Sequence, residues 1–156
     1  MAARTITRGR GVAIFLASAP SDLAAPTQAE LTAGTALTPS VRAIEGFDEN
    51  VADLDTADLS DDFDKTGNGT TSAPSSSITL YRDDDGVAAM RTALAEDTVG
   101  WLAFLYDGQA ETKDSKIWPV QVKKQNTRDL QVMNEAPTVV VQFGLQGSPT
   151  EGVQAA

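Results

Sequence analysis

The chain has 156 residues, of which 41% are hydrophobic and 22% charged, so it can bury the core of one globular domain. Its 22 acidic and 12 basic residues give a formal charge of −10, and such a chain repels polyanions overall. It has no cysteine and no histidine, which excludes disulfides, thiolate or imidazole metal sites, and every catalytic triad with an imidazole base.

A basic arm, residues 1–10, opens the chain and is followed by an apolar run at 12–17. The two together partly resemble a secretory signal peptide, but the apolar run is at the lower length limit and contains the β-branched residues of a strand. We therefore predict a first β-strand at 12–17. No segment has the roughly 18 apolar residues of a membrane-spanning helix. The arm contributes three basic side chains and no acid: Arg4, Arg8 and Arg10.

Two short elements are predicted before the chain becomes acidic. Thr27 and Glu30 have the spacing of a capping box, which predicts a helical turn at 27–31. The alternation of apolar and polar residues over 41–47 predicts the second strand.

Residues 48–75 are predicted to form one long acidic loop. Nine carboxylates occur between Glu45 and Asp64 without a basic residue, and the following stretch is rich in Gly, Asn, Ser and Thr. A loop of this length in a compact domain is unusual and tends to be functional or disordered. Six of its carboxylates are candidates for contacts with a neighbouring molecule: Asp53, Asp55, Asp58, Asp61, Asp62 and Asp64.

Strand patterns dominate the second half of the chain. The three aspartates at 83–85 are expected to cap a helix over 87–94, which carries one apolar stripe. The almost wholly apolar run at 98–106 is typical of a strand buried on both faces or between subunits. The remaining strands are predicted at 77–82, 116–124, 128–133 and 138–145.

Two details of this half bear on the interpretation. Pro119 cannot donate to a strand ladder, so its strand is expected at an edge of the sheet or at a bulge. Residues 147–156 lack a core pattern and are predicted to form a mobile C-terminal tail.

The predicted elements indicate a mainly-β domain over residues 1–146. About seven strands, one flanking α-helix and one long loop are typical of a small β-sandwich or a partly open barrel. The two tryptophans lie in strand patterns, which favours a place in the core or between subunits over an exposed stacking platform. We name three candidates for a subunit interface: Trp101, Trp118 and Pro119.

No group of residues in the sequence suggests catalysis, so we predict that the protein is not an enzyme and has no catalytic residue, cofactor or metal site. The start of a calcium loop at 62–67 fails at its fifth and twelfth positions, Thr66 and Ala73. Neither glycine-rich segment continues as a phosphate loop does. Lys123 and Lys124 are too few to mark a nucleic-acid-binding surface in a chain of this charge.

Four segments in a fixed order carry a resemblance to a known family. They are 77–83 (SITLYRD) leading into the helix at 87–94, 100–104 (GWLAF), 117–122 (IWPVQV) and 134–141 (NEAPTVVV). This ordered set, covering roughly residues 75–145, resembles the tail tube or major tail proteins of long-tailed phages, particularly siphophages that infect actinobacteria.

The resemblance implies a virion structural protein of the tail-tube fold. Its hexameric rings would stack into a hollow tube for DNA ejection, and the virion tail would be assembled in the host cytoplasm. The implied partners are further copies of the chain, the terminator, tape measure and tail tip proteins, and double-stranded DNA that passes without specific binding, with no membrane partner. An acidic lumen would avoid DNA binding, while acidity for solubility alone is the alternative.

The opposite charges of the arm and the acidic loop suggest that the two meet between stacked rings. On this interpretation Arg4, Arg8 and Arg10 of one subunit face the six aspartates of the next.

Three alternatives stay open at this point. The chain could be the tube protein of a contractile tail or of an injection system, which share the fold. It could be a monomeric β-sandwich binding module, for example for carbohydrate, with an exposed aromatic patch. It could also be a capsid decoration protein, which would form closed rings without stacking.

Overall fold

The computed structural model of the chain describes residues 10–55, 66–82, 91–128 and 136–156. These ranges are mainly β, which confirms the predicted fold class. They contain α1 (Gln28–Ala33), a 3-10 turn at Thr38–Ser40, a helical turn at 91–93, and the strands β1 (Val12–Leu16), β2 (Thr35–Ala36), β3 (Val41–Glu45), β4 (Asn50–Asp55), β5 (Thr66–Ser72), β6 (Ser76–Tyr81), β7 (Val99–Leu105), β8 (Asp114–Arg128), β9 (Thr138–Leu145) and β10 (Thr150–Val153).

The main strand predictions are confirmed, with one change of length. The runs at 12–17, 41–47, 77–82, 98–106 and 138–145 correspond to β1, β3, β6, β7 and β9. The run at 116–124 belongs to a single strand of 15 residues, β8, that ends at Arg128. The rest of the strand predicted at 128–133 and the beginning of the helix predicted at 87–94 lie outside the described residues.

One antiparallel sheet organises the domain in the order β2-β1-β7-β8-β9-β6-β3. Strand β8 is its centre and has partners on both sides. On one side it pairs with β7. On the other side its first residues pair with β10 and its later residues pair with β9.

The sheet curls around a large apolar core. Alternate residues of β1, β7 and β8 pack there against alternate residues of β6 and β9, so that two layers of the same sheet enclose the core. The opposite face of β1 and β7 is covered by a second cluster that includes Leu31 of α1. β7 places Leu102 in the first cluster and Ala103 in the second, so it is buried on both faces as its apolar run predicted.

Pro119 lies in the central strand, so the prediction of an edge position is wrong. Its partner in β7 is Trp101, and on the other side its carbonyl accepts a hydrogen bond from the N–H of Gln146 at 2.9 Å. The pairing with β10 ends at Ile117 and the pairing with β9 begins at Val120. A missing N–H donor is tolerated where a strand changes neighbours, because no continuous ladder passes that point.

The C-terminal residues form β10 and an anchored end, which corrects the expectation of a mobile tail. Gln154 is 2% exposed. Its Nε2 donates to the carbonyl of Gly108 at 2.9 Å, and its Oε1 accepts from the N–H of Ala110 at 3.0 Å. A Cβ at Gly152 would lie 1.8 Å from the carbonyl oxygen of Ala24, so β10 packs too closely on this loop for a side chain there.

The capping box at the start of α1 is confirmed. The hydroxyl of Thr27 accepts from the N–H of Glu30, and the Glu30 carboxylate accepts from the N–H of Thr27 at 2.9 Å. The same carboxylate accepts from the N–H of Ser21 at 2.8 Å. These backbone N–H donors lower the pKa of Glu30 from 4.5 to about 2, and the hydrogen bond from Ser21 contributes more to the shift than the one from Thr27.

Phe47 closes the core at the point where the chain leaves β3. Its ring centre lies 5.1 Å from that of Phe104 and 6.1 Å from that of Trp118, both in edge-on arrangements. Its N–H donates to the hydroxyl of Ser76 at 2.8 Å. Its φ of 60° follows a φ of 82° at Gly46, and the left-handed conformation costs a non-glycine residue about 1 kcal/mol. The packing of the ring offsets this strain and fixes the direction of the chain that follows.

Replacing Glu30 by Gln is expected to lower the Tm at neutral pH. Because the pKa of Glu30 is lowered in the folded state, the ionised carboxylate stabilises the fold above about pH 4.5. That contribution is lost as the pH falls toward 2, so the Tm values of wild type and Glu30→Gln should converge there. Thermal unfolding followed by circular dichroism from pH 2 to 7 measures this, with the exposed Glu111→Gln as control. A difference in Tm that stays constant with pH would contradict the prediction.

Replacing Phe47 by Ala is expected to lower the free energy of unfolding by about 3 to 5 kcal/mol, because a buried ring is lost and the strained backbone remains. Phe47→Leu should retain a large part of the packing and cost less. Urea denaturation of the two variants measures the difference. A loss below about 1 kcal/mol for Phe47→Ala would mean that the ring does not anchor this segment.

Candidate assembly surfaces

The acidic region predicted as a loop contains a β-hairpin in its described parts. β4 pairs with β5 in a two-stranded sheet of its own, separate from the main sheet. All six residues of β4 are exposed, and within the described chain the hairpin makes no more than marginal contact with the other helices and strands. A two-stranded hairpin is only marginally stable by itself in water, so packing against a further surface would stabilise this one.

The two faces of the hairpin differ in chemistry. Leu54 is opposite Gly67 in the register, and a Cβ at Gly69 would lie 2.7 Å from the carbonyl oxygen of Ala52. Leu54 is 54% exposed and has no large side chain opposite it. Asp53, opposite Asn68, and Asp55, opposite Thr66, flank Leu54 along β4 and lie on the other face. The hairpin therefore offers a flat apolar face and a charged face to another molecule.

The charged candidates named from the sequence fall partly within the described chain. Asp53 and Asp55 lie on β4 and are exposed, and Arg10 is exposed where the described chain begins. The other candidates lie outside the described residues: Arg4, Arg8, Asp58, Asp61, Asp62 and Asp64.

Two open edges flank a four-stranded part of the main sheet. Within the described residues β3 pairs with β6 alone, so one edge of β3 has no partner. On the side of β8 away from β9, residues 123–128 have no strand partner in the described chain. Unpaired strand edges present rows of N–H and C=O groups to another chain. Strands β3, β6, β9 and the later part of β8 thus form a patch that can extend at both sides.

The two tryptophans do not form a common surface. Trp118 is 1% exposed and belongs to the large core, whereas Trp101 packs against the second cluster on the opposite face of the sheet. Trp118 therefore has almost no exposed area with which to contact another subunit, and its place at an interface stays a prediction. Alternating strand patterns cannot separate a core position from an interface position. Trp101 and Pro119 are half-buried and stay candidates.

An apolar cleft of about 690 Å³ opens between β1 and β3 and was not anticipated from the sequence. Phe47, Phe104 and Trp118 line it, and Ile44 and Tyr106 are exposed along it. Its lining comes from five separate segments, so no local pattern could reveal it. Among the described residues that line it, Lys116 is the charged one, and no carboxylate is among them.

Two further observations concern metal ions and membranes. In residues 10–55, 66–82, 91–128 and 136–156, no three carboxylates group closely enough to hold a metal ion. None of the helices in the described part of the chain is long and apolar enough to cross a membrane.

Comparisons with known proteins agree with this geometry. A sequence family described as "Phage tail tube protein" matches residues 1–156. The fold is similar to that of the SPP1 tail tube, solved by solid-state NMR and cryo-electron microscopy, with a TM-score of 0.59 and 14% identity over 94% of this chain and 78% of that chain. It is also similar to a chain of the six-fold symmetrised baseplate of the anti-feeding prophage, with a TM-score of 0.55 and 9% identity over 97% of both chains. No curated protein sequence matches.

Proposed function

Because the chain belongs to the phage tail tube protein family, we propose that its copies form hexameric rings that stack into the conduit for DNA ejection. The protein itself is a structural tail tube component of a phage virion, not an enzyme. The observation that carries the proposed ring is the four-stranded patch with an open edge at each side, at β3 and at residues 123–128 of β8.

Ring closure would join the β3 edge of one subunit to the β8 edge of the next. Such pairing satisfies the free backbone groups of both edges and leaves no exposed edge in a closed ring. Four strands from each of six subunits give 24 strands. At about 4.8 Å per strand the circumference is roughly 115 Å and the diameter about 37 Å before strand tilt widens it. After side chains are allowed for, this leaves room for a DNA duplex.

Stacking of rings would engage the β4–β5 hairpin. Leu54 of this hairpin is 54% exposed, and Asp53 and Asp55 are exposed as well. A hairpin of this kind is stabilised when another subunit covers it. The basic arm, with Arg10 exposed at the start of the described chain, supplies the opposite charge. In such a contact the charges set orientation and rate of association more than affinity.

Several finer features are part of the same proposal. We infer a long-tailed siphophage of an actinobacterial host, assembly in the host cytoplasm, and terminator, tape measure and tail tip proteins as further partners. The separated tryptophans weaken the carbohydrate-binding alternative, because Trp118 is buried in the core.

Negative-stain electron microscopy of the purified protein over a range of concentrations, with light scattering, tests the proposed function. Hollow tubes or six-fold rings are the expected result. Closed rings that never stack would favour a decoration protein. A chain that remains monomeric at high concentration, even with preformed tail tips added as initiators, would contradict the proposal.

Replacing residues 48–74 by a short glycine linker is expected to give a folded domain that forms no tubes. The hairpin adds little to the core, so the Tm should change little, whereas the proposed contact between rings is removed. Circular dichroism and electron microscopy measure the two effects, and Leu54→Ser with Asp53→Asn is a milder variant of the same surface. Tubes of normal length from the deletion would show that the hairpin is not needed for stacking.

Replacing Arg4, Arg8 and Arg10 together by Gln is expected to slow tube growth and to reduce its dependence on salt, because the proposed attraction between arm and hairpin is lost. Light scattering at several salt concentrations measures both quantities. The control replaces Lys113, an exposed lysine outside the arm, by Gln. Unchanged growth and unchanged salt dependence in the triple variant would remove the arm from the contact.

A further inference from the structure

One face of the four-stranded patch is open to solvent and polar. In β6, Ile78 and Leu80 point into the core, so Ser77 and Thr79 lie on the other face. The register continues this face across the sheet in rows. One row holds Glu45, Ser77, Gln142 and Lys124, and the next holds Ala43, Thr79, Val140 and Asn126.

This face carries a positive charge in an acidic protein. Lys124 is opposite Gln142 in the register, and both side chains are exposed. Lys123 is the extra residue at the point where the register of β8 against β9 shifts. Its side chain lies over Gly144, because a Cβ added to that glycine would be 2.8 Å from the Cε of Lys123. Its Nζ donates to the hydroxyl of Ser75 at 3.4 Å. Glu45 at the β3 edge is the carboxylate of these rows.

A further cation lies at the border of the face. The guanidinium carbon of Arg42 is 6.0 Å from the centre of the exposed ring of Tyr81, which follows Thr79 on the same side of β6. The arginine thus adds to the positive charge near the β3 edge.

The carboxylates of the described chain are concentrated elsewhere. Apart from Glu45, they lie around the start of α1, on the hairpin and its base, in turns, at the first residue of β8 and on β10: Asp22, Glu30, Asp48, Glu49, Asp53, Asp55, Glu96, Asp97, Asp107, Glu111, Asp114 and Glu151. Among the described residues the carboxylates are therefore unevenly distributed, and the described rows of the open sheet face, with Lys123 and Lys124 against Glu45, have a positive balance.

We propose that this face lines the lumen of the tube and that Lys123 and Lys124 give it a weak, sequence-independent attraction for the phosphates of duplex DNA. The inference rests on the proposed ring, in which the open edges place the same face of neighbouring subunits side by side. Two lysines are too few in one chain, but a ring of six presents twelve, repeated in every ring along the tube. Attraction of this kind is salt-dependent and allows DNA to slide.

The chemistry of the two sides of the domain favours this orientation. On the opposite layer, the outer face of β1 and β7 is covered by α1, which presents exposed residues such as Ala33. The lysine face has no such cover in the described chain, and its Ser, Thr, Asn and Gln side chains are suited to contact with water rather than to a dry protein interface.

The absence of native cysteine allows a direct test of the orientation. Gln142→Cys places a thiol beside Lys124, and Ala33→Cys on α1 is the matched control. In assembled tubes, Gln142→Cys should react with a small thiosulfonate but resist a maleimide carried on a polymer too large to enter the tube. Ala33→Cys should react with both reagents, and dissociated Gln142→Cys subunits should react with both as well.

The sign of the local potential is read from the same thiol. When each rate is divided by the rate of the same reagent with a free small thiol, an anionic thiosulfonate should modify Gln142→Cys several-fold faster than a cationic one of equal size at low salt. Addition of Lys124→Gln should reduce this ratio, and addition of Lys113→Gln, which removes an exposed lysine elsewhere, should not.

Binding of DNA is measured separately, by protection of a short duplex from nuclease. At low salt, wild-type tubes should protect more of the duplex than tubes with Lys123→Gln and Lys124→Gln, and at high salt the difference should disappear.

Each result has a defined meaning. If the polymer-bound maleimide modified Gln142→Cys in tubes, the face would lie on the outside. If neither reagent modified it, the face would be buried against protein. If the cationic thiosulfonate reacted faster, the potential at the face would be negative. Each of these outcomes overturns the inference while tubes still form. Thr79→Cys replaces Gln142→Cys if that variant does not assemble. Failure of the wild-type chain to form tubes would instead contradict the proposed function, and the inference with it.

Discussion

The fold depends on a single strand that pairs with three others. β8 is paired with β7 on one side, and on the other side its neighbour changes from β10 to β9. The change of neighbour takes place at Pro119, the one position where the strand has no N–H to donate. The same strand carries Trp118, Val120 and Val122 in the core, so backbone pairing and apolar packing support each other along its length. Its later part then continues beyond β7 and, within the described residues, has an open edge.

The sequence was sufficient for elements that alternate or cap locally. The apolar pattern of a strand is visible in the local sequence of β1, β3, β6, β7 and β9. The capping box of α1 likewise needs only Thr27 and Glu30. β5 was missed because its glycines and polar residues have low strand propensity and are paired only through β4. β10 was missed because it depends on Gln154, whose partners are 40 or more residues away in the chain.

The surfaces were harder to predict than the fold, for reasons that the individual residues illustrate. Trp118 and Trp101 have similar strand patterns, yet the register puts them on opposite faces, and only one has exposed area. Lys123 and Lys124 are insignificant beside a total charge of −10 when counted along the chain. Their importance arises from where the strand places them: in the described rows of this face the carboxylate is Glu45, three strands away from Lys124, and composition contains no such information.

The anchored C-terminus has a consequence for how the wall of an assembled tail could be extended. Ala155 bridges to Thr27, and its N–H donates to the carbonyl of Pro26, so the chain finishes against the segment that leads into α1. This layer faces away from the lysine-bearing side of the sheet. In the proposed ring, a peptide joined after Ala156 would therefore project from the outer wall and leave the channel open. Cargo carried there would not obstruct the proposed conduit, because the two use opposite sides of one curled sheet.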